Sequence, residues 1–138
     1  MLSSRRHCFL VPALGAATVY FAAAMAAGVI LGTVRVLWVE PRLGTRVAEI
    51  LELPLLLTLC ALAGRRIVRG FALPARGPMR ALVGLVALSM LLACELTLVL
   101  GWRGIEIDDY VASRDPVAAA AYLASLIVFA TLPMWVGR

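Results

Sequence analysis

Two glutamates, Glu52 and Glu95, lie in separate segments that are otherwise apolar. Glu49 precedes Glu52 by three residues, and Arg35 follows the first apolar block. Charged side chains in hydrocarbon are costly, so they usually face a bundle interior, pair with one another or line a pathway. Arg35, Glu49, Glu52 and Glu95 therefore form the candidate intramembrane polar cluster.

Three roles are compatible with this cluster. In the first, Arg35 neutralises Glu52 or Glu95, Arg46 pairs with Glu49, and the charges fasten helices together. In the second, at least one carboxylate lacks a fixed counter-ion and exchanges a proton or binds a cation. In the third, the cluster docks onto a charged group of a partner protein, a lipid headgroup or a pigment.

The composition indicates that a membrane surrounds these charges. The 138 residues are 63% hydrophobic and have a mean hydropathy of +0.97, whereas soluble domains are about 45–50% apolar. Four apolar blocks cover approximately residues 9–34, 47–64, 79–100 and 117–136, each near the roughly 20 residues that a spanning helix needs. The sequence predicts an all-α fold, with residues 1–138 forming a single polytopic membrane domain, a four-transmembrane-helix bundle.

The distribution of arginine predicts the orientation. Five arginines and no acidic residue lie between the second and third blocks, namely Arg65, Arg66, Arg69, Arg76 and Arg80. Because cytoplasmic loops carry an excess of Lys and Arg, both termini are predicted to be cytoplasmic in a multi-pass protein of the bacterial inner membrane. Attraction to anionic lipid explains the net charge of +5, so we expect no nucleic-acid partner.

The candidate carboxylates are predicted to share one depth. At 1.5 Å per residue, Glu52 lies about 7–8 Å below the outer boundary and Glu95 lies on the order of 10 Å below it. Pro54 removes a backbone hydrogen bond next to Glu52, which favours a kink. A kink beside an intramembrane carboxylate is one way to open a small polar cavity.

Small residues at four-residue intervals predict where helices pack closely. Ala24, Gly28 and Gly32 share one face of the first block, and Ala120 and Ala124 share a face of the last. Such faces let a neighbouring backbone approach. The contact is expected within the monomer or between two copies of the chain.

The last block has a clear start. Asp115 precedes Pro116, the usual order of a capping acceptor and a proline at the first helical position. Residues 105–111 mix apolar and acidic side chains, which is compatible with a short surface helix or with an irregular loop.

The residue set does not favour an enzyme, a cofactor site or a metal site. His7 is the only histidine and the chain contains no lysine, which excludes a histidine triad and a P-loop. Cys8, Cys60 and Cys94 are far apart in the sequence, without the spacing of a zinc or disulfide framework. Buried cysteine is usually a small apolar filler.

Residues 32–37, 41–44, 49–54 and 113–117 carry a pattern that resembles one in uncharacterised four-span bacterial inner-membrane proteins. The resemblance covers most of the chain and implies the membrane location without implying an activity. The length and span count are also similar to those of small multidrug-resistance transporters. Their essential carboxylate lies in the first span, where this chain has none between His7 and Arg35.

We expect a small integral inner-membrane protein that acts as a non-enzymatic subunit or accessory component of a membrane complex. Its Arg/Glu cluster would fasten helices or a partner. The alternative is a small proton- or cation-coupled transporter or channel that uses Glu52 or Glu95. The expected partners are the lipid bilayer and either another membrane protein or a second copy of the chain.

Overall fold

Helices are the only regular elements in the part of the chain that the structure describes. The computed structural model describes residues 2–74, 77–102 and 104–136, with the side chains of all of these except 2–9 and 99. The elements are α1 (Leu2–Val34), a π-helical turn (Arg35–Val39), α2 (Glu40–Leu43), α3 (Thr45–Gly70), α4 (Gly77–Trp102), α5 (Ile107–Ala112) and α6 (Pro116–Trp135). Arg76 and Arg103 lie outside the described residues, as do the side chains of His7 and Cys8.

Four helical segments of this part of the chain are long and apolar enough to cross a membrane. They are Leu10–Leu43, Thr45–Gly70, Gly77–Trp102 and Pro116–Trp135, which confirms the all-α fold with four long apolar helices. The second helix continues to Gly70 rather than ending near residue 64. Its arginines interrupt the apolar run, but arginine is a good helix former. The hydropathy pattern therefore underestimates the length of this helix.

The first long helix also extends beyond its predicted end. The helical path continues through Arg35, the π-helical turn and α2 as far as Leu43. The π-helical turn precedes Pro41, whose ring would clash with the carbonyl of Leu37 in a regular α-helix. Gly44, with a φ of 82°, then turns the chain into α3, a conformation that glycine adopts at little cost.

The long helices form a ring in which sequence neighbours are not always spatial neighbours. Helix α1 packs against α3 and α4, and α6 packs against the same two helices. Consequently α1 lies diagonally opposite α6, and α3 lies opposite α4. Each pair of diagonal helices can therefore contribute side chains to a shared central space.

Tyr20 joins the diagonal helices α1 and α6 at the centre of the bundle. Its ring stacks on that of Phe129 with centroids 4.7 Å apart, and its hydroxyl donates to the Phe129 carbonyl over 3.1 Å. The tyrosine is fully buried among small residues of α1 and α4, including Ala16, Ala17 and Ala87. These alanines leave the space that the two stacked rings occupy.

Gly84 marks the closest approach of two helices. A Cβ added to Gly84 of α4 would lie 1.8 Å from the carbonyl oxygen of Ala130 in α6. Only a hydrogen side chain permits this separation. The backbones of α4 and α6 therefore touch here, next to the buried Val83.

Arg80 holds three chain segments together at the end of the bundle opposite α5. It is 5% exposed, and its guanidinium donates over 3.5 Å to the carbonyl of Leu73, just after α3, and to that of Val136 at the end of α6. Helix C-termini carry about half a negative charge each. Two such termini therefore offset one buried positive charge.

Candidate functional site

Arg35 contacts both glutamates of α3. Its Nη1 lies 3.1 Å from Glu52 Oε2 and 3.7 Å from Glu49 Oε1. Residues three apart share a helix face, which is why one guanidinium reaches both carboxylates. The Glu52 side chain is the more buried of the two, with 14% exposed against 27% for Glu49.

Glu95 contacts Tyr122, and Arg35 pairs with Glu52, one of the two partners that the sequence left open for Arg35. The Oε2 atom of Glu95 accepts a hydrogen bond from the hydroxyl of Tyr122 in α6. Within the described residues no ion pair includes Glu95, and Arg35 pairs with the two glutamates of α3 instead. One positive charge therefore serves the α3 carboxylates, and Glu95 has a neutral donor.

Arg114 extends the contact of Glu95 towards the end of the bundle. Its guanidinium lies 5.0 Å from the ring centroid of Tyr122 and 4.9 Å from that of Tyr110, and it donates a hydrogen bond to the Tyr110 hydroxyl. Cation–π contacts place positive charge against the aromatic faces. The second positive charge of the site thus contacts the ring of Tyr122 and, in the described residues, forms no ion pair with Glu95.

A partly open cavity of about 360 Å³ lies between α1, α3, α4 and α6. All four residues of the candidate cluster line it, together with Arg114, Tyr122 and Ser125. The remaining wall is mostly apolar. Ligand sites commonly have this composition and start at about 300 Å³.

The formal charges of the lining do not cancel. Three carboxylates, those of Glu49, Glu52 and Glu95, face two guanidiniums, those of Arg35 and Arg114. One negative charge is in excess when all five groups are ionised. Such an excess in a low-dielectric environment favours the uptake of a proton or another cation.

The start of α6 forms a second polar contact, with Asp115 just before the spanning segment Pro116–Trp135. Asp115 caps the helix by accepting from the backbone N–H of Ala118 over 3.0 Å, which confirms the predicted cap. Arg46 donates to the same carboxylate from Nε over 3.0 Å and pairs with it through Nη2. The hydrogen bond from Arg46, followed by that from Ala118, holds the pKa of Asp115 below its usual range.

Arg46 therefore pairs across helices rather than along α3. The sequence interpretation paired Arg46 with Glu49, but Glu49 contacts Arg35 and Arg46 contacts Asp115. The corner between α1 and α3 explains this difference in partners, because it brings Arg35 onto the first turns of α3. Arg46 is then left at the end of the bundle where α6 begins.

The five predicted packing residues occupy different environments. Ala24 is buried in the core, and Gly32 lies near Glu52, whose Oε1 would be 3.7 Å from an added Cβ. No atom of the described residues lies within 4 Å of an added Cβ at Gly28. Ala120 and Ala124 are exposed on the monomer, so packing between copies through these residues stays a prediction.

Gly84 and Arg114 were not identified from the sequence as part of these contacts. A glycine inside an apolar helix weakens the helix, so its presence there often has a packing reason. Gly84 is such a glycine, and its position in α4 could have indicated the close contact. Arg114 was not predicted to be a site residue. Its proximity to Tyr122 depends on the turn between α5 and α6, which the irregular pattern before Asp115 does not specify.

The cysteines of the described side chains are free and do not suggest a metal centre. Cys60 is buried and lines the cavity, whereas Cys94 is partly buried. Across residues 2–74, 77–102 and 104–136, no group of three or more His, Cys, Asp or Glu residues is arranged to hold a metal ion.

A comparison of this chain with protein-family models finds no match. Searches of curated proteins and of solved structures also find none. Inference about function therefore depends on the geometry of the cavity itself.

Proposed function

We propose that this chain is a small proton- or cation-coupled transporter of the bacterial inner membrane, with Glu95 as its coupling group. The observation that carries the proposal is the charge balance of the cavity. Three carboxylates and two guanidiniums line it, and among the described residues Glu95 has only the neutral Tyr122 hydroxyl as a polar partner. A proton or monovalent cation at Glu95 removes the excess negative charge.

The polar contacts between the helices suit a protein that alternates between two conformations. Arg35 links α1 to α3 through Glu52, whereas the Glu95 to Tyr122 hydrogen bond links α4 to α6. Neutralising Glu95 weakens its hydrogen bond from Tyr122, because charge-assisted hydrogen bonds are about twice as strong as neutral ones. Binding at Glu95 therefore couples to the contact between α4 and α6.

The end-to-end charge distribution supports the predicted orientation. Exposed Arg65, Arg66 and Arg69 lie in the last turns of α3, and exposed Asp108 and Asp109 lie in α5 at the other end. The positive-inside rule makes the arginine end cytoplasmic. Glu95 then lies in the outer half of the bilayer, and the cavity would load from outside the cell.

The test is flux through protein reconstituted in liposomes. We expect uptake of ²²Na⁺, or acidification reported by an internal pH dye under a potassium diffusion potential, to require Glu95. Glu95→Gln keeps the shape and a hydrogen-bond acceptor but removes the charge, so it should abolish the flux. Glu106→Gln is the matched control, because Glu106 is exposed next to α5, outside the cavity lining.

Retention of flux in Glu95→Gln, or absence of both fluxes from the unmodified protein, would contradict the proposal. Circular dichroism and thermal unfolding in detergent establish that each variant is folded. The carboxamide can still accept from Tyr122, so loss of the fold is not the expected outcome.

A second candidate function is the non-enzymatic subunit or accessory component of a membrane complex. It is favoured by the cross-helix polar contacts, which link α1 to α3, α3 to α6 and α4 to α6. In this function the cluster fastens the bundle or a partner. Glu52→Gln and Glu95→Gln would then leave every flux unchanged but release the protein from a complex purified from native membranes.

A further inference from the structure

We propose that the cavity binds an organic monocation that has a primary ammonium group and an apolar body. The ammonium group would lie at the end of the cavity that Glu49, Glu52 and Glu95 line, with the body extending towards Phe129. This inference rests on the proposed function, because it names the cation that the excess negative charge would hold.

The volume favours an organic molecule over a bare ion. A water molecule occupies about 30 Å³ of liquid, so a cavity of about 360 Å³ holds on the order of a dozen waters. A proton or a single dehydrated metal ion fills little of this space. The described residues also offer no group of three or more acidic or other ligating side chains arranged for a metal ion.

The lining changes from polar to apolar along α3. Along α3 the lining residues run from Glu49 and Glu52 to Leu56 and Cys60. Glu52 and Cys60 are eight residues apart, or about 12 Å along the helix axis. A ligand that matches this wall has its charge at one end and an apolar body of similar length.

The opposite walls also have apolar residues on this side of their polar groups, and Leu98 lines the cavity on the other side of Glu95. Leu91 lies one turn beyond Glu95 on α4, and Phe129 lies two turns beyond Tyr122 on α6. Burial of an apolar body against these side chains gains about 25 cal/mol for each Å² removed from water. The charged end of the ligand would set its orientation in the cavity, and the apolar end would contribute most of the binding free energy.

Free acceptor atoms distinguish a primary ammonium group from a quaternary one. In the described part of the chain, Glu49 Oε2, Glu52 Oε1 and Glu95 Oε1 accept no hydrogen bond, and the one that Glu95 accepts is at its Oε2. They are not among the fully buried polar atoms that lack partners, which are Arg35 Nε and Arg80 Nε, so each of these oxygens is at least partly exposed. A primary ammonium group has N–H donors for such oxygens, whereas a quaternary group has none.

The charge count limits the ligand to one positive charge. Arg35 is shared by Glu49 and Glu52, and Arg114 contacts the ring of Tyr122. The lining thus retains one excess negative charge. A monocation neutralises it, whereas a dication would leave an uncompensated positive charge in a low-dielectric site.

The test is equilibrium dialysis of the full-length protein in an uncharged maltoside detergent at neutral pH, with phenethylammonium as the probe. We expect saturable binding to one site. The neutral 2-phenylethanol and the quaternary phenethyltrimethylammonium should each bind at least about tenfold more weakly. The first comparison measures the need for charge, and the second measures the need for N–H donors.

Two variants locate the site. Glu95→Gln should weaken phenethylammonium binding at least about tenfold, whereas the exposed-site control Glu106→Gln should leave it unchanged. Gly28→Leu adds bulk to the cavity wall, where an added Cβ meets no atom within 4 Å, and it retains every charge. It should abolish binding in a protein whose circular dichroism and unfolding temperature match the original.

Equal binding of the three probes, or full binding by Gly28→Leu, would overturn the inference. If the protein shows Glu95-dependent ²²Na⁺ or proton flux but does not bind phenethylammonium, the ligand inference fails and the proposed function stands. If it binds phenethylammonium through Glu95 but shows no flux, the proposed transport function fails and the binding site stands.

Discussion

Replacing Gly84 with alanine is the most direct test of the bundle. In the structure a Cβ at this position would lie 1.8 Å from the Ala130 carbonyl oxygen, 2.8 Å from its carbonyl carbon and 3.3 Å from its Cα. All three atoms belong to the backbone of α6, so a change of side-chain rotamer cannot relieve the contact. The helices α4 and α6 must move apart or the chain must bend.

The required movement sets the size of the effect. Packed C···O contacts are about 3.3–3.6 Å, so the local separation must grow by on the order of 1.5 Å, the difference between 3.3 and 1.8 Å. A gap of about 0.5–1 Å already forfeits a quarter to a half of the dispersion energy of the atoms that line it. We expect Gly84→Ala to lower the free energy of unfolding by about 3 kcal/mol.

Unfolding of the detergent-solubilised protein by increasing fractions of SDS, followed by tryptophan fluorescence, measures this change. Gly28→Ala is the matched control, because no atom lies within 4 Å of its added Cβ and alanine favours helix over glycine by up to about 1 kcal/mol. It should leave stability unchanged or raise it. If Gly84→Ala unfolds at the same SDS fraction as the unmodified protein, the close contact of α4 and α6 is wrong.

Three further predictions concern the helix ends. Arg46 holds the pKa of Asp115 below its usual range, so the stability that this carboxylate contributes is complete above its unfolded-state pKa and is lost as the pH falls through the lowered value. Asp115→Asn should remove this part of the acid sensitivity in unfolding titrations, and identical titrations of the two proteins would count against the pair. Arg80→Ala should lower the free energy of unfolding by about 2 kcal/mol, because the contacts with the two carbonyls are lost. Arg80→Lys keeps the positive charge and should lower the free energy of unfolding less. Equal losses in the two variants would argue against a role for charge between the helix C-termini. In an otherwise cysteine-free protein, a cysteine at Arg69 should react with an impermeant reagent only from the cytoplasmic side and one at Asp109 only from the opposite side, and the reverse pattern would invert the orientation.

Composition and spacing were enough to predict the helices but not their full lengths. Long apolar blocks can satisfy their backbone hydrogen bonds in a membrane only as helices or closed barrels, and their lengths matched helices. The cap at Asp115 followed from a local pattern of two residues. The extension of the first helix through Arg35 did not follow from a local pattern, because a π-helical turn depends on how the backbone accommodates Pro41.

The sequence alone also predicted the four charged residues of the cluster, since charges in apolar blocks stand out by residue type. It did not assign their partners. Arg35 could have paired with Glu52 or with Glu95, and spacing within one helix does not say which other helix lies opposite. Because α1 packs against both α3 and α4, the ring order permits either pairing, and the corner that brings Arg35 onto the first turns of α3 decides for Glu52.

By itself, then, the sequence determined the four long apolar helices, the asymmetric charge and the residues able to do chemistry inside the bundle, because hydropathy and helical spacing are local properties. Only the tertiary structure decided that Glu95 is paired with Tyr122, that Arg46 belongs to Asp115 and that the carboxylates surround a cavity. These contacts join residues distant in the chain, so they depend on the close approach of α4 and α6 at Gly84 and on the turn that brings Arg35 onto α3.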